Sequence, residues 1–199
     1  AMHYFRQYLI VGGMPQAVAE YVATRDFYKV DAVKRQILRL YRNDIKKYAA
    51  GLTDRVSAID DAIPGQLQKK EKKFVLAALN DEARMRDYDG AFFWLEDAKL
   101  VNISYNTTAP NIGLQLNEDR TVLKCYFCDT GLLISLAFNA RGIVSKELYQ
   151  KLMFDKLEFN EGMLIENIVA QMLKASGNKL FFYFNADKEN ADNRMQIDF

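Results

Sequence analysis

Three groups of residues in this 199-residue sequence are of types that could do chemistry. Cys125 and Cys128 form a CxxC, which is half of a zinc site or the core of a redox site. Lys69, Lys70, Lys72, Lys73, Arg84 and Arg86 gather in one stretch against Glu71, Asp81 and Glu82, six positive charges to three negative. In a chain whose net charge is +1, that local surplus is the pattern of a phosphate-contacting patch, or of a solvated Lys-rich turn. Glu166 and Asp198 are the candidate carboxylates. At helical spacing Glu166 has Gly162, Met163, Val169, Ala170 and Leu173 as neighbours, all small or apolar. A carboxylate so placed needs a cation, a proton or a metal, unless it sits at the edge of the stripe as a cap. Asp198 alternates with Gln196 and Arg194 on one side of a short segment, which is either a solvent face or the rim of an acidic site.

Other chemistry is excluded by absence. The sequence contains no GxxxxGK[ST] phosphate loop, no GxGxxG, no GxSxG and no HExxH. The only histidine, His3, lies far from the CxxC. That pair falls within a strand-like run, so it reads as buried structural thiols of a reducing cytoplasm. Lys plus Arg count 27 and Asp plus Glu 26, which rules out whole-chain attraction to a polyanion. The apolar runs fall well short of the roughly 20 residues a membrane-spanning helix needs, and no secretory leader is visible. A cytoplasmic protein is expected. Ala1-Met2 reads as a tag remnant ahead of an internal start.

The elements that would position these residues follow from periodicity. Met14–Ala23 is a helix. Val30, Val33, Ile37, Leu40, Tyr41, Ile45 and Tyr48 recur at three- and four-residue steps, predicting a long helix that ends near Ala50-Gly51. Val56, Ile59 and Ile63 mark a short helix stopped by Pro64-Gly65. Phe74–Leu79 and Met85–Ala98 read as helices, and Leu100–Tyr105 with Leu123–Phe127 as a hairpin. That is the order of a winged helix-turn-helix, with the basic patch at the entrance to its recognition helix. Thr130–Phe138, Ser145–Phe154 and Glu161–Ala175 follow as helices, then Lys179–Phe184 and Met195–Phe199 as adjacent strands.

Six segments together resemble a known family: Tyr8–Pro15 with Gly12-Gly13, Ile37–Tyr48, Ile63–Leu67, Trp94–Ala98, Tyr126–Leu133 with Asp129-Thr130-Gly131, and Gly162–Ala170. They are similar, in order and over nearly the whole chain, to the C-terminal region (domain of unknown function 4143) of bacterial and archaeal AAA+ ATPases. The resemblance implies a mostly helical α+β chain in three parts. Residues 1–50 would be the tail of an ATPase lid with a connecting helix, and 51–128 a winged-helix-like domain. Residues 129–199 would be a helical segment and a truncated restriction-endonuclease-like α/β part. By the same resemblance Glu166 matches the acidic residue of the nuclease-like first helix and Asp198 the metal-binding aspartate. The family's P-loop ATPase domain is missing here. So is the acid-x-lysine strand after the aspartate, which supplies a metal ligand and a water-activating lysine.

The expectation is therefore a fragment without catalysis, metal or cofactor of its own; ATP and magnesium would belong to the missing ATPase domain. Its role would be that of an accessory region contacting double-stranded DNA or a protein partner, its own ATPase domain among them, and no membrane. The alternatives are a metal-dependent DNA nuclease cut off before its last motif, and a protein-interaction module.

Overall fold

The computed structural model describes residues 2–69, 73–138, 161–185 and 195–199. Helices α1 (Met2–Val11), α2 (Pro15–Thr24), α3 (Phe27–Tyr48), α4 (Thr53–Leu67) and α5 (Met85–Asp97) precede strands β1 (Val101–Thr107) and β2 (Glu118–Phe127). Then come α6 (Thr130–Ala137), α7 (Glu161–Ala175), β3 (Leu180–Asn185) and β4 (Met195–Ile197).

Each helix has a local cause. Asp26 caps α3 by accepting from the Tyr28 amide at 2.9 Å, and Val30, Ile37, Leu38 and Ile45 bury its inner stripe. Asp129 caps α6, whose residues Thr130–Leu136 are all buried, as befits a helix apolar around its circumference. The α1 helix lies outside the sequence expectation, because its polar residues mask the short Ile10–Val11 end that the core buries.

Four strands form one mixed sheet in the order β2-β1-β3-β4. The β1–β2 hairpin is antiparallel, with Val101, Ile103 and Tyr105 facing Phe127, Cys125 and Leu123. Those six side chains share one face and join the core built with α4 and α5. Ser104 faces Lys124 and Asn102 faces Tyr126, so these four turn to the other face. The expected pairing of the two closing strands is present, antiparallel, with Tyr183 opposite Ile197.

Several expectations need correction. β3 pairs in parallel with β1, Ser104 to Leu180 and Tyr105 to Phe181, so a single sheet crosses the expected boundary at 128/129. The hairpin of the expected winged helix and the strands of the expected nuclease-like part therefore share one sheet. Pro64 does not stop α4, which runs on to bury Gln66 and Leu67; that burial outweighs the one hydrogen bond the proline removes. Phe74–Leu79 is not a helix but a 3-10 turn over Leu76–Ala78. The Gln66 side chain pins the backbone of Val75 from both sides, donating to its carbonyl at 3.1 Å and accepting from its amide at 3.2 Å. The Phe74 amide then donates to the Leu123 carbonyl at 2.8 Å, which ties the segment to β2. Among the described residues between α4 and α5, that turn stands where a helix-turn-helix has its middle helix. The expected helix Ser145–Phe154 lies outside the described residues.

Candidate functional site

Glu166 and Asp198 are brought together, and a lysine joins them. Lys124 Nζ lies 2.6 Å from Asp198 Oδ1 and 3.9 Å from Glu166 Oε2. The Tyr126 hydroxyl donates to Glu166 Oε2 at 3.2 Å, and Gln196 Nε2 donates to Asp198 Oδ1 at 2.6 Å. Two-residue spacing on β2 puts Lys124 and Tyr126 on the same face, beneath α7. The ring of Phe182 on β3 lies 5.1 Å from Lys124 Nζ, and Phe199 packs on Tyr126 at 5.5 Å between ring centres. The segment after β4 thus folds back over the sheet to reach β2.

The burial is uneven and decides the electrostatics. The Lys124 side chain is 1% exposed, Glu166 18% and Asp198 40%. A buried ammonium needs compensating charge, and two carboxylates supply it. Burial, with the neighbouring Glu166 charge, pushes the Tyr126 phenol far above its ordinary value, so the phenol stays a donor. On the same face, Ser104 Oγ and Asn106 Oδ1 are buried without a hydrogen-bond partner among the described residues.

Asn167 fixes the height and rotation of α7. Its amide accepts from the Phe127 backbone N–H at 2.8 Å and donates to the Phe127 carbonyl at 3.1 Å, extending the edge of β2 by one residue's worth of pairing. One turn on, Gln171 Oε1 accepts from the Thr130 amide at 3.0 Å and from its hydroxyl at 2.5 Å. With those two residues docked on the β2–α6 corner, Glu166 is aimed at Tyr126. Sequence reasoning missed Lys124, Tyr126 and Asn167. The signal available was a lysine and a tyrosine at alternating positions inside an otherwise apolar strand, and an asparagine beside the flagged glutamate.

A second polar cluster locks α1 to α3 and α6. The Asp129 carboxylate caps α6 through the Leu132 amide at 2.8 Å and also accepts from the Gly13 amide at 2.6 Å. Gly12 holds φ +80°, and a Cβ there would collide with that carboxylate. A Cβ on Gly131 would lie 2.5 Å from the Val11 carbonyl oxygen, so the chains touch backbone to backbone. Buried Lys34 donates to the carbonyls of Ile10 at 2.7 Å and Gly131 at 3.2 Å. Desolvation lowers its pKa to about 8, against the opposing pull of Asp31 and Asp129. Asp31 also accepts from Ser135 at 2.7 Å and from Arg35 at 2.6 Å. Every group here is spent on another part of the chain, which makes the cluster a latch.

The basic patch is dispersed. Lys70 and Lys72 lie outside the described residues. Lys69 donates to Gln66 Oε1 at 3.0 Å, back onto α4. Lys73 stands over the Phe184 ring, 2.9 Å from its centre, at the end of β3. Arg84 and Arg86 are exposed at the start of α5, with Arg86 3.7 Å from Asp87. Cys125 and Cys128 are both free thiols. Burial, with nearby Asp60 and Glu96, pushes Cys125 well above the usual thiol value. Burial, with Asp129 and Asp60, raises Cys128 to about 12. His3 instead pairs with Gln7 on α1 at 2.9 Å.

No curated protein and no solved structure matches the chain. A family model does, over residues 2–142, which span the latch, Lys124 and Tyr126 but end before Glu166 and Asp198. Its description is Domain of unknown function (DUF8612), and the chain belongs to that family.

Proposed function

We propose that the chain is an accessory region of an AAA+ ATPase, the class its motifs resemble, that contacts DNA or a protein partner and performs no phosphodiester chemistry itself. The observation that carries this reading is the ammonium of Lys124 between the two carboxylates. A divalent ion that serves phosphodiester hydrolysis needs carboxylates whose charge is available to it. Here Asp198 is in direct contact with an ammonium and Glu166 accepts from a phenol. An incoming cation would have to displace a side chain that has almost no access to water, and would leave its charge unpaired. The cluster then serves as an electrostatic clasp that holds α7 and the segment after β4 against β2. Exposed Arg84 and Arg86 at the start of α5 support contact with a polyanion.

One observation favours the nuclease alternative: an acid pair and a lysine do converge, from three separate elements. Incubating the protein with supercoiled plasmid and magnesium or manganese separates the two readings. The accessory reading expects intact plasmid together with a salt-dependent mobility shift. Cleavage that disappears in Glu166→Gln would replace it with the nuclease.

A further inference from the structure

We propose that the outer face of α3 is a duplex-nucleic-acid backbone site, and the main one in this chain. The proposal rests on the DNA-contacting half of the reading above and moves the contact away from the Lys69–Arg86 stretch. α3 carries seven basic residues, Lys29, Lys34, Arg35, Arg39, Arg42, Lys46 and Lys47, against Asp31 and Asp44. Three of the seven are committed elsewhere: Lys34 is buried in the latch, Arg35 pairs with Asp31, and Arg42 pairs with Asp61 of α4. Lys29, Arg39, Lys46 and Lys47 are exposed and make no ion pair with a described residue.

Their spacing places them together. Lys29, Gln36 and Asn43 recur every seven residues, and so do Ala32, Arg39 and Lys46, which puts two adjacent rows on one side of the helix. Lys47 extends the first row. From Lys29 to Lys46 the helix rises about 26 Å, enough to run beside several phosphates in succession. All of these polar side chains can donate hydrogen bonds, four of them with positive charge, and none is a carboxylate. Asp31 faces inward on Ser135, and Asp44 borders the face. On the α2 side the limit is a cleft lined by Glu20, Gln36 and Leu40, whose acid marks one edge of the track.

None of the four is neutralised by a described carboxylate, so their charge is available to a ligand. A polyanion with regular spacing answers them. A duplex does this without reading bases, so the contact is sequence-tolerant.

The test is fluorescence anisotropy of a labelled duplex of mixed sequence, with salt varied between about 50 and 200 mM. The variants are Lys29→Gln/Arg39→Gln/Lys46→Gln/Lys47→Gln and, separately, Lys69→Gln/Lys73→Gln/Arg84→Gln/Arg86→Gln. Seven of the eight positions are exposed and Lys73 is half-buried over the Phe184 ring, so thermal melts check the folded state of both variants. Losing four phosphate contacts should make the log–log salt slope shallower by about 3.6 and the low-salt affinity at least tenfold weaker in the α3 variant. An unchanged slope in that variant, with loss in the other, overturns the α3 assignment and leaves the DNA-contacting reading standing. If the wild-type chain does not bind duplex at all, both the α3 assignment and the DNA-contacting reading fail.

Discussion

Lys124→Met tests the clasp by removing its charge while keeping its packing. Methionine keeps an apolar stem of similar length and deletes the ammonium together with its contact to the Phe182 ring, so the change isolates the electrostatic part. Breaking a buried ion pair by removing one member costs about 3–5 kcal/mol when the stranded partner cannot reach water. Here Glu166 is 18% exposed and Asp198 40%, so the stranded carboxylates regain some hydration and the lower end applies. We expect a loss of about 3 kcal/mol, which for a chain of this size lowers Tm by roughly 6–12 °C. Urea unfolding followed by tryptophan fluorescence, with a double-mutant cycle against Asp198→Asn, measures it. The two substitutions should lose less together than their sum, by about 1–2 kcal/mol. Strict additivity, or a single variant as stable as wild type, would mean that the lysine and the aspartate do not interact and would refute the reasoning.

Three further outcomes follow from the latch and the core. Gly12→Ala forces a Cβ into the Asp129 carboxylate at a left-handed position and should cost more than about 3 kcal/mol, whereas Gly51→Ala, at φ +75° in open space, should cost only about 1–2 kcal/mol; equal losses by urea unfolding would remove Asp129 from the account. Lys34 has a folded-state pKa of about 8, below its ordinary 10.5, so the unfolded chain holds more protons between those values. Stability should therefore rise as pH goes from about 8 to 10.5 and lose that rise in Lys34→Met; a flat wild-type profile over this range contradicts it. Asp60 on α4 is buried, and desolvation with the Asp61 charge raises its carboxyl to about 6, so stability should fall as pH rises from about 4 to 6. Asp60→Asn should remove that fall and stabilise the protein at pH 7 by up to about 3 kcal/mol, and a destabilised Asn variant would show that the carboxylate has an unrecognised partner.

What the sequence made legible was local. The existence of α3, the limits of α7, the hairpin and the pairing of the closing strands follow from period and turn chemistry. The α3 stripe was legible only in part: Val30, Ile37 and Ile45 are buried, but Leu40 and Tyr48 are exposed and Asp31, Lys34 and Leu38 are buried instead. Glu166 stands out in the sequence because its helical neighbours are apolar, a signal contained within ten or so residues. Its partners were not legible, because Lys124 reaches Glu166 and Asp198 across 42 and 74 residues of chain. The parallel pairing of β1 with β3 was hidden for the same reason, and that pairing makes one sheet of what read as two parts. The Phe74–Leu79 misreading has a different cause: its apolar residues suit a helix, but the tertiary bond from Gln66 holds Val75 extended.

Lys124 already occupies the electrostatic centre of the carboxylate pair. Calorimetric titration of manganese into the wild-type protein, with Lys124→Met and Glu166→Gln alongside, tests it most directly. The account predicts no saturable binding in wild type. Stoichiometric manganese binding by wild type that is abolished in Glu166→Gln would contradict it, because it would show that a divalent ion competes the ammonium away from both carboxylates.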